Sequence, residues 1–459
     1  MPRTLDLRRL APFVLPPLWA GLTALVAVRV AGYAPDDMFI TYRYAWNLAH
    51  GDGLVFNPGE RVFGLTNPGH ALFLALLHGV TRVPVHLLGG LVFALALWAL
   101  IVLVWVEARR RGTAVEAALG GTLVLGASYV WANAGSASSS VLALLAGSAL
   151  LLPRRPVAAG ALAGMAVWYR PDAVLGVAAL GLLAWSERRR LPLRWALVAG
   201  GVIVLGAVAA WLWFGSPLPE TLEAKRIMAE SRPAPWTGPE RFWARAAPLF
   251  RRNFGPGWLL LVAMGLAGQW PLFARGGRAV RTVVLYGTAV AVAYPLLGVP
   301  YFSWYTVPPV VALLLGAGAL AVGVGRAVSA ALVPGGCPED ASTGGDGGPG
   351  RRPWSRHLAS AAGAVVAATL LAIPGIHFAK ATAGRLGALG GETRFETYRE
   401  AALWIRDHSL PEERIAYGEI GNLAYWSRRP VDDLMGLVTP GVLPYVAARD
   451  GVGAFLLRP

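Results

Sequence analysis

PVHLLGGLVFALALWALIVLVWVEARRR, residues 84–111, decides what kind of molecule this is. From Pro84 to Val106 the only ionisable side chain is His86, and the run closes on Arg109, Arg110 and Arg111. A helix needs about 20 mostly apolar residues to cross the hydrocarbon core of a bilayer, and arginine collects at the cytoplasmic ends of such helices. The stretch therefore reads as a transmembrane helix with a basic anchor. Windows of similar size give further spans near 11–30, 115–132, 194–214, 257–273, 282–299, 306–325 and 357–378. Between 139 and 186 the apolar chain is broken by PRRP (153–156) and YRPD (169–172), a pattern of three short crossings near 139–152, 157–169 and 173–186. The total is eleven. Residues 69–81 contain too few apolar side chains for a span and read as an interfacial or re-entrant helix.

Composition agrees with an all-α polytopic membrane protein. Of 459 residues 55% are hydrophobic and 15% charged, whereas soluble domains are about 25% charged. A soluble cytosolic enzyme, a disordered chain and a disulfide scaffold are all excluded, the last because Cys337 is the single cysteine. The formal charge of +15 comes from 41 basic and 26 acidic residues, with Lys225 and Lys380 the only lysines. Its arginines stand in short clusters between apolar runs, so the basicity implies a lipid bilayer and no nucleic acid.

Arg3, Arg8 and Arg9 place the N-terminus in the cytoplasm, and counting crossings forward puts Arg109–Arg111, Arg154–Arg155, Arg188–Arg190 with Arg194, and Arg275, Arg278 and Arg281 on that same side. Were 69–81 a full crossing, the clusters would alternate sides. The domain plan is a transmembrane module over 1–332, with a first outer loop at 31–68, then a flexible Gly- and Pro-rich cytoplasmic linker at 333–356 and a last span at 357–378. Residues 379–459 form a small extracytoplasmic α/β domain, with a helix over 393–409 and a strand and turn over 414–421. The chain reaches Pro459 early for such a domain, which implies an incomplete one.

Functional chemistry gathers in the outer loops, where Gly and Pro bound groups of charged, amide and aromatic residues. Asp36 and Asp37 follow the first span directly. Adjacent carboxylates repel, which suits general-base work or a divalent cation, and the bland alternative is a solvated helix start. Lys225, followed by Arg226, suits a phosphate as a compact charge, against interfacial snorkelling. Arg170 lies between two short spans and needs water or an anionic partner, Asp172 being the nearest in sequence. Tyr301, Phe302, Trp304 and Tyr305 form an interfacial belt or a sugar-stacking wall. The histidines His50, His70, His78 and His86 have no metal-ligand spacing, and there is no nucleotide-binding loop.

DDMFITYRYAWNLAHGDGLVFNPGERVFGLTNP (36–68) resembles the first outer loop of bacterial GT-C glycosyltransferases, multi-pass enzymes that use polyprenyl-phosphate sugars. It is most similar to the arabinofuranosyltransferase-like branch, which includes the terminal arabinofuranosyltransferases of the mycobacterial cell wall. In that branch an Asp pair opens the loop and N-P-G-E-R-V-x-G-x-T-N-P closes it, here Asn57 to Pro68. FGSPLPETLEAK (214–225) looks like its G-x-P-x-P-N-T-x-x-A-K loop, with Glu220 in place of asparagine. Arg170-Pro171-Asp172 resembles its R-P-E/D motif, and GEIGNLAYWSRRPVDDLMGL (418–437) its C-terminal signature. One departure is Gly135-Ser136-Ala137-Ser138, which stands where the branch has Gly-x-Glu-Thr and so lacks a carboxylate.

The resemblance implies inverting transfer of arabinofuranose or a hexose from a polyprenyl-phosphate donor to a hydroxyl of a cell-envelope glycan, on the outer face of a bacterial plasma membrane. It makes Asp36 or Asp37 the base, without choosing between them, and the same two the ligands of any divalent cation. Lys225, Arg226 and Arg170, in that order, would hold the donor phosphate. Arg43, Asn57, Glu60, Arg61, Asn67, Glu220, Trp304 and Tyr305 would touch substrate or shape the loops, with Glu60 and Arg61 paired to each other. A lipid-linked glycan transporter and a catalytically degenerate GT-C scaffold are the competing readings.

Overall fold

The structure, a computed structural model, describes residues 7–30, 32–231, 238–332, 353–389 and 393–450. Each of the eleven expected crossings holds a helix: Leu7–Arg29, Val85–Arg110, Ala114–Gly126, Ser138–Leu151, Pro156–Tyr169, Ala173–Arg188, Leu193–Phe214, Trp258–Arg275, Arg278–Leu296, Val307–Ala331 and Pro353–Leu389. Among the described residues five helices are long and apolar enough to cross a bilayer unaided. The helices over Ser138–Leu151 and Pro156–Tyr169 have 14 residues each, about 21 Å of rise against a core of about 30 Å. Their brevity follows from the PRRP and YRPD breaks. The last helix starts at Pro353 and runs to Leu389, past both ends of the expected span; residues 333–352 of the expected linker lie outside the described residues.

One helix has no counterpart among the expected spans. Pro239–Phe254 carries five arginines or acids among its apolar residues, so hydropathy windows pass over it. Phe242, Ala246, Phe250 and Phe254 recur every four residues and bury one face. It meets Trp258–Arg275 at a bend of 104°.

Small residues let the bundle close. A Cβ on Gly268 would run into the backbone of Gly316, so Trp258–Arg275 and Val307–Ala331 touch backbone to backbone, as small residues permit in membrane helices. Elsewhere a carboxylate does the joining: Glu107, at the end of Val85–Arg110, accepts hydrogen bonds from the Ala279 (2.9 Å) and Val280 (3.4 Å) amides that open Arg278–Leu296.

The segment between the first two crossings folds into helices Asp36–His50 and Pro68–Thr81, joined by an extended loop. The second has 14 residues, again about 21 Å and short of a full span. Against them sits the C-terminal unit, with helix Thr393–His408, strand Ile415–Tyr417, helix Gly421–Ser427 and strand Val431–Asp433. The strands pair in parallel, Ile415 opposite Val431, across the intervening helix. The chain is thus an all-α membrane bundle carrying a small α/β domain.

Candidate active site

Asp36 and Asp37 open their helix side by side, yet they do different things. The Asp36 carboxylate accepts the Gly421 amide (2.9 Å), the Asn422 amide (2.7 Å) and Asn422 Nδ2 (3.2 Å). It caps the helix of the C-terminal domain and so fastens that domain to the first loop. Asp37 instead lines a small cavity of about 50 Å³ with Thr66, Asn67, Ser136, Ala137, Arg170, Thr221, Lys225, Trp304 and Leu437. Burial pushes its carboxyl up to about 6, with Lys225 opposing and the Asp36 and Glu419 charges reinforcing the rise.

Lys225 projects from helix Thr221–Glu230 and donates to Tyr305 Oη at 3.2 Å. Its ammonium also lies 5.2 Å from the Phe302 ring centre and 5.8 Å from that of Tyr305. Burial opposes the charge, Tyr305 and Asp37 favour it, and the balance holds the ammonium above its ordinary pKa. Lys225, Thr66 and Arg170 belong both to the small cavity and to a larger one of about 360 Å³, which Leu222, Arg226, Tyr294, Leu297, Val299 and Pro300 continue. A charged small chamber therefore opens into a wider, partly apolar one.

Arg170 is set between them by a network. Its Nε and Nη2 grip the two Asp172 oxygens at 3.0 and 2.8 Å, and Tyr294 Oη donates to Asp172 at 2.9 Å. Tyr294 stacks on Tyr305 at 4.5 Å between ring centres, and the Arg170 guanidinium lies 5.4 Å from the Tyr305 ring. Its charge is thus matched within the protein, and Asp172 is the partner its burial requires. Arg226, by contrast, sits on the exposed rim of the larger cavity and pairs with Glu230 at 3.0 Å.

The other sequence-expected residues separate into site and frame. Asn67 lines the small cavity, accepts from Thr41 Oγ1 at 2.9 Å and begins helix Pro68–Thr81. Trp304 lines it as well, and Tyr305 holds Lys225, so these rings, with the buried Tyr301, face inward and are not simply a membrane belt. Arg43, on helix Asp36–His50, is buried and donates to the Phe56 carbonyl at 3.1 Å. Asn57 clamps the C-terminal strand, donating to the Val431 carbonyl (3.0 Å) and accepting its amide (2.9 Å). Glu220 sits beside the cavity wall, its amide donating to the Phe63 carbonyl at 3.1 Å; its Oε2 is buried without a partner among the described residues.

The expected Glu60–Arg61 pair is not formed. Glu60 accepts from Asn57 at 2.9 Å and bridges Arg414 of the C-terminal domain at 2.8 Å, while Arg61 stacks over Trp213 at 4.4 Å. Consecutive side chains in an extended loop point apart, and each found a partner distant in sequence. Tyr294 carried no signal of its own, being an ordinary residue of a span, whereas Ser136, Thr221 and Asn422 stood inside the quoted motifs, Thr221 at the fixed threonine of the 214–225 loop, without being singled out. For a divalent cation the donor set is poor: among the described residues no three His, Cys, Asp or Glu side chains gather, Asp36 is bound to three N–H groups, and an ammonium faces Asp37.

A model described as a domain of unknown function, DUF8728, matches residues 388–457. No curated protein sequence matches the chain. Among solved structures, ArnT from Cupriavidus metallidurans bound to undecaprenyl phosphate is similar, with a TM-score of 0.59, 16% identity and coverage of 94% of this chain and 89% of that one. The Archaeoglobus fulgidus oligosaccharyltransferase tethered to an acceptor peptide is similar at a TM-score of 0.56 and 11% identity, over 92% of this chain and 64% of that one. Both are GT-C glycosyltransferases, and this chain has their fold.

Proposed function

We propose that the chain is a glycosyltransferase of the bacterial plasma membrane, with its N-terminus cytoplasmic and its site and C-terminal domain on the outer face. It would transfer arabinofuranose or a hexose from a polyprenyl-phosphate donor to a hydroxyl of a cell-envelope glycan, with inversion. The observation that carries the reading is the placement of Asp37 and Lys225 on one cavity that continues into a wider, partly apolar chamber. The undecaprenyl phosphate bound to the similar ArnT structure supports a lipid phosphate as the donor's carrier.

Asp37 takes the proton of the acceptor hydroxyl as that oxygen attacks the anomeric carbon. The bond from that carbon to the phosphate oxygen breaks, and polyprenyl phosphate leaves with the bonding pair. Lys225 neutralises the leaving phosphate, so no general acid is required. Tyr305 holds Lys225 in place, Arg170 adds a second cation on the same chamber, and the prenyl chain leaves across Leu222 and Leu297, both exposed. A carboxylate that remains a base near neutral pH while facing an ammonium suits this division of labour, without a metal ion.

The test is transfer from synthetic polyprenyl-phosphate sugars by protein in lipid nanodiscs. Asp37→Asn is expected to abolish transfer and keep lipid-phosphate binding; near-normal rates in that variant would overturn the assignment. Ala137, lining the cavity where the resembled branch has a carboxylate, favours one second reading, a degenerate scaffold. Donor binding without turnover in the wild type selects it.

A further inference from the structure

The walls of the Asp37 cavity contain two hydroxyl groups that the proposed chemistry leaves without a role. Ser136 is 1% exposed and Thr221 3% exposed. Both side-chain oxygens are buried without a hydrogen-bond partner among the described residues, and both residues line the chamber that holds Asp37. Buried hydroxyls are nearly always paired in native proteins, because an unpaired one has given up water for nothing. Nearby, Thr41 donates to Asn67, Ser138 to the Trp304 carbonyl at 3.2 Å, and Ser303 to Asn133 at 2.7 Å, while the hydroxyls of Tyr42 and Ser140, also buried without a partner among the described residues, do not line this cavity.

The two hydroxyls are also held in position from outside the cavity. Ser136 sits in a turn whose amide donates to the Asn133 carbonyl at 3.1 Å. The preceding Gly135 has φ +81° and packs its α-carbon against the Tyr42 hydroxyl, where any Cβ would collide. Two residues on, Ser138 accepts from Arg170 Nη1 at 3.4 Å. Thr221 is the first residue of helix Thr221–Glu230, one turn before Lys225, and the chain just ahead of it is tied to the first loop through the Glu220 amide and the Phe63 carbonyl. Rigid placement of an unpaired group is what recognition of a ligand hydroxyl requires.

We infer that Ser136 and Thr221 read the hydroxyl groups of the donor sugar, from the wall of the chamber in which Asp37 acts. This rests on the transferase reading and deepens it: the ligand class is a polyprenyl-phosphate sugar with at least two free ring or exocyclic hydroxyls beside the anomeric carbon. Hydroxyl partners can donate and accept, so they fix the sugar's orientation without adding charge beside the base. The position corresponding to Ala137 contributes only a methyl group, which leaves Ser136 as the polar contact from that turn.

Binding in nanodiscs tests the inference apart from turnover. The probes are radiolabelled farnesyl phosphate, its arabinofuranosyl and mannosyl esters, and singly deoxygenated analogues of each ester. Ser136→Ala and Thr221→Val keep size and shape. Each is expected to weaken the better sugar ester by roughly ten-fold and to leave farnesyl phosphate unchanged. For each variant one deoxy analogue should bind as well as its parent, because the contact is already gone. Unchanged ester affinity in both variants overturns the inference, as does an equal loss for farnesyl phosphate, or a wild type in which neither ester binds better than farnesyl phosphate. If hydroxyl-dependent binding holds but the wild type transfers no sugar, the transferase reading fails and this inference stands. If transfer occurs and the variants discriminate no hydroxyl, the reverse applies.

Discussion

The pH dependence of transfer is the most direct probe of Asp37. Burial raises its pKa from 3.8 to about 6. A base with that pKa is about nine-tenths ionised near pH 7 and about one-tenth ionised near pH 5, whereas an ordinary aspartate would still be more than about nine-tenths ionised at the lower pH. The proposed donor is a phosphodiester and does not titrate in this range. The expected profile of kcat/KM in nanodiscs is therefore a single acidic limb centred near 6, with about a ten-fold fall between pH 7 and pH 5. Lys225 lowers the Asp37 pKa, so Lys225→Met should move the limb further upward in addition to weakening the donor. Amplitude and midpoint are separable, and the midpoint carries the argument. The same shift bears on stability: the native state holds this proton more tightly than the unfolded chain, so the Asp37 charge is destabilising above the folded pKa by about 3 kcal/mol. That penalty disappears as pH falls through the window from about 6 to about 4. Asp37→Asn should accordingly raise the thermal midpoint at pH 7.5 and leave it unchanged below pH 4. A wild-type limb near 4, or a limb that Lys225→Met leaves in place, would refute the reasoning.

Three further outcomes follow from the contacts around the site. Asp36→Ala strands the Gly421 and Asn422 amides and should loosen docking of the C-terminal domain by about 1–3 kcal/mol; faster amide exchange over 415–438 with an intact bundle is the expected signature. Asp172→Asn leaves Arg170 buried and without its carboxylate, a loss of about 3–5 kcal/mol that should appear as a lowered thermal midpoint without loss of the Asp37 base, whereas Lys225→Ala should weaken the donor. Gly135→Ala should impair sugar binding by displacing Ser136, and Tyr42→Phe should restore part of it by removing the oxygen that the new methyl strikes; no recovery in the double variant would show that backbone strain alone is responsible.

Much of the bundle was legible because a bilayer imposes one rule, about 20 apolar residues per crossing, and every expected span acquired a helix. What escaped the rule did so for a physical reason. Pro239–Phe254 buries a four-residue-spaced face amid arginines, a pattern that averaging over a window erases. The site was legible by residue type more than by partner. Asp37, Lys225, Arg170, Asn67 and Trp304 do line one small cavity, but Glu60 found Arg414 in place of Arg61, because contact across the fold outweighs adjacency in the chain.

The division of the Asp pair lay furthest from view. Successive helix positions diverge by about 100°, so two neighbouring carboxylates cannot serve the same cavity equally. Which one faces it depends on where the amides of Gly421 and Asn422 come to rest, 385 and 386 positions along the chain. Those amides take Asp36, and by taking it they release Asp37 from any structural duty. Under the proposed transferase reading the adjacent carboxylates are therefore one of each, Asp36 structural and Asp37 the base. The C-terminal domain does more than follow the bundle, since its docking assigns the roles, and Leu437 from that same domain completes the wall beside the remaining carboxylate.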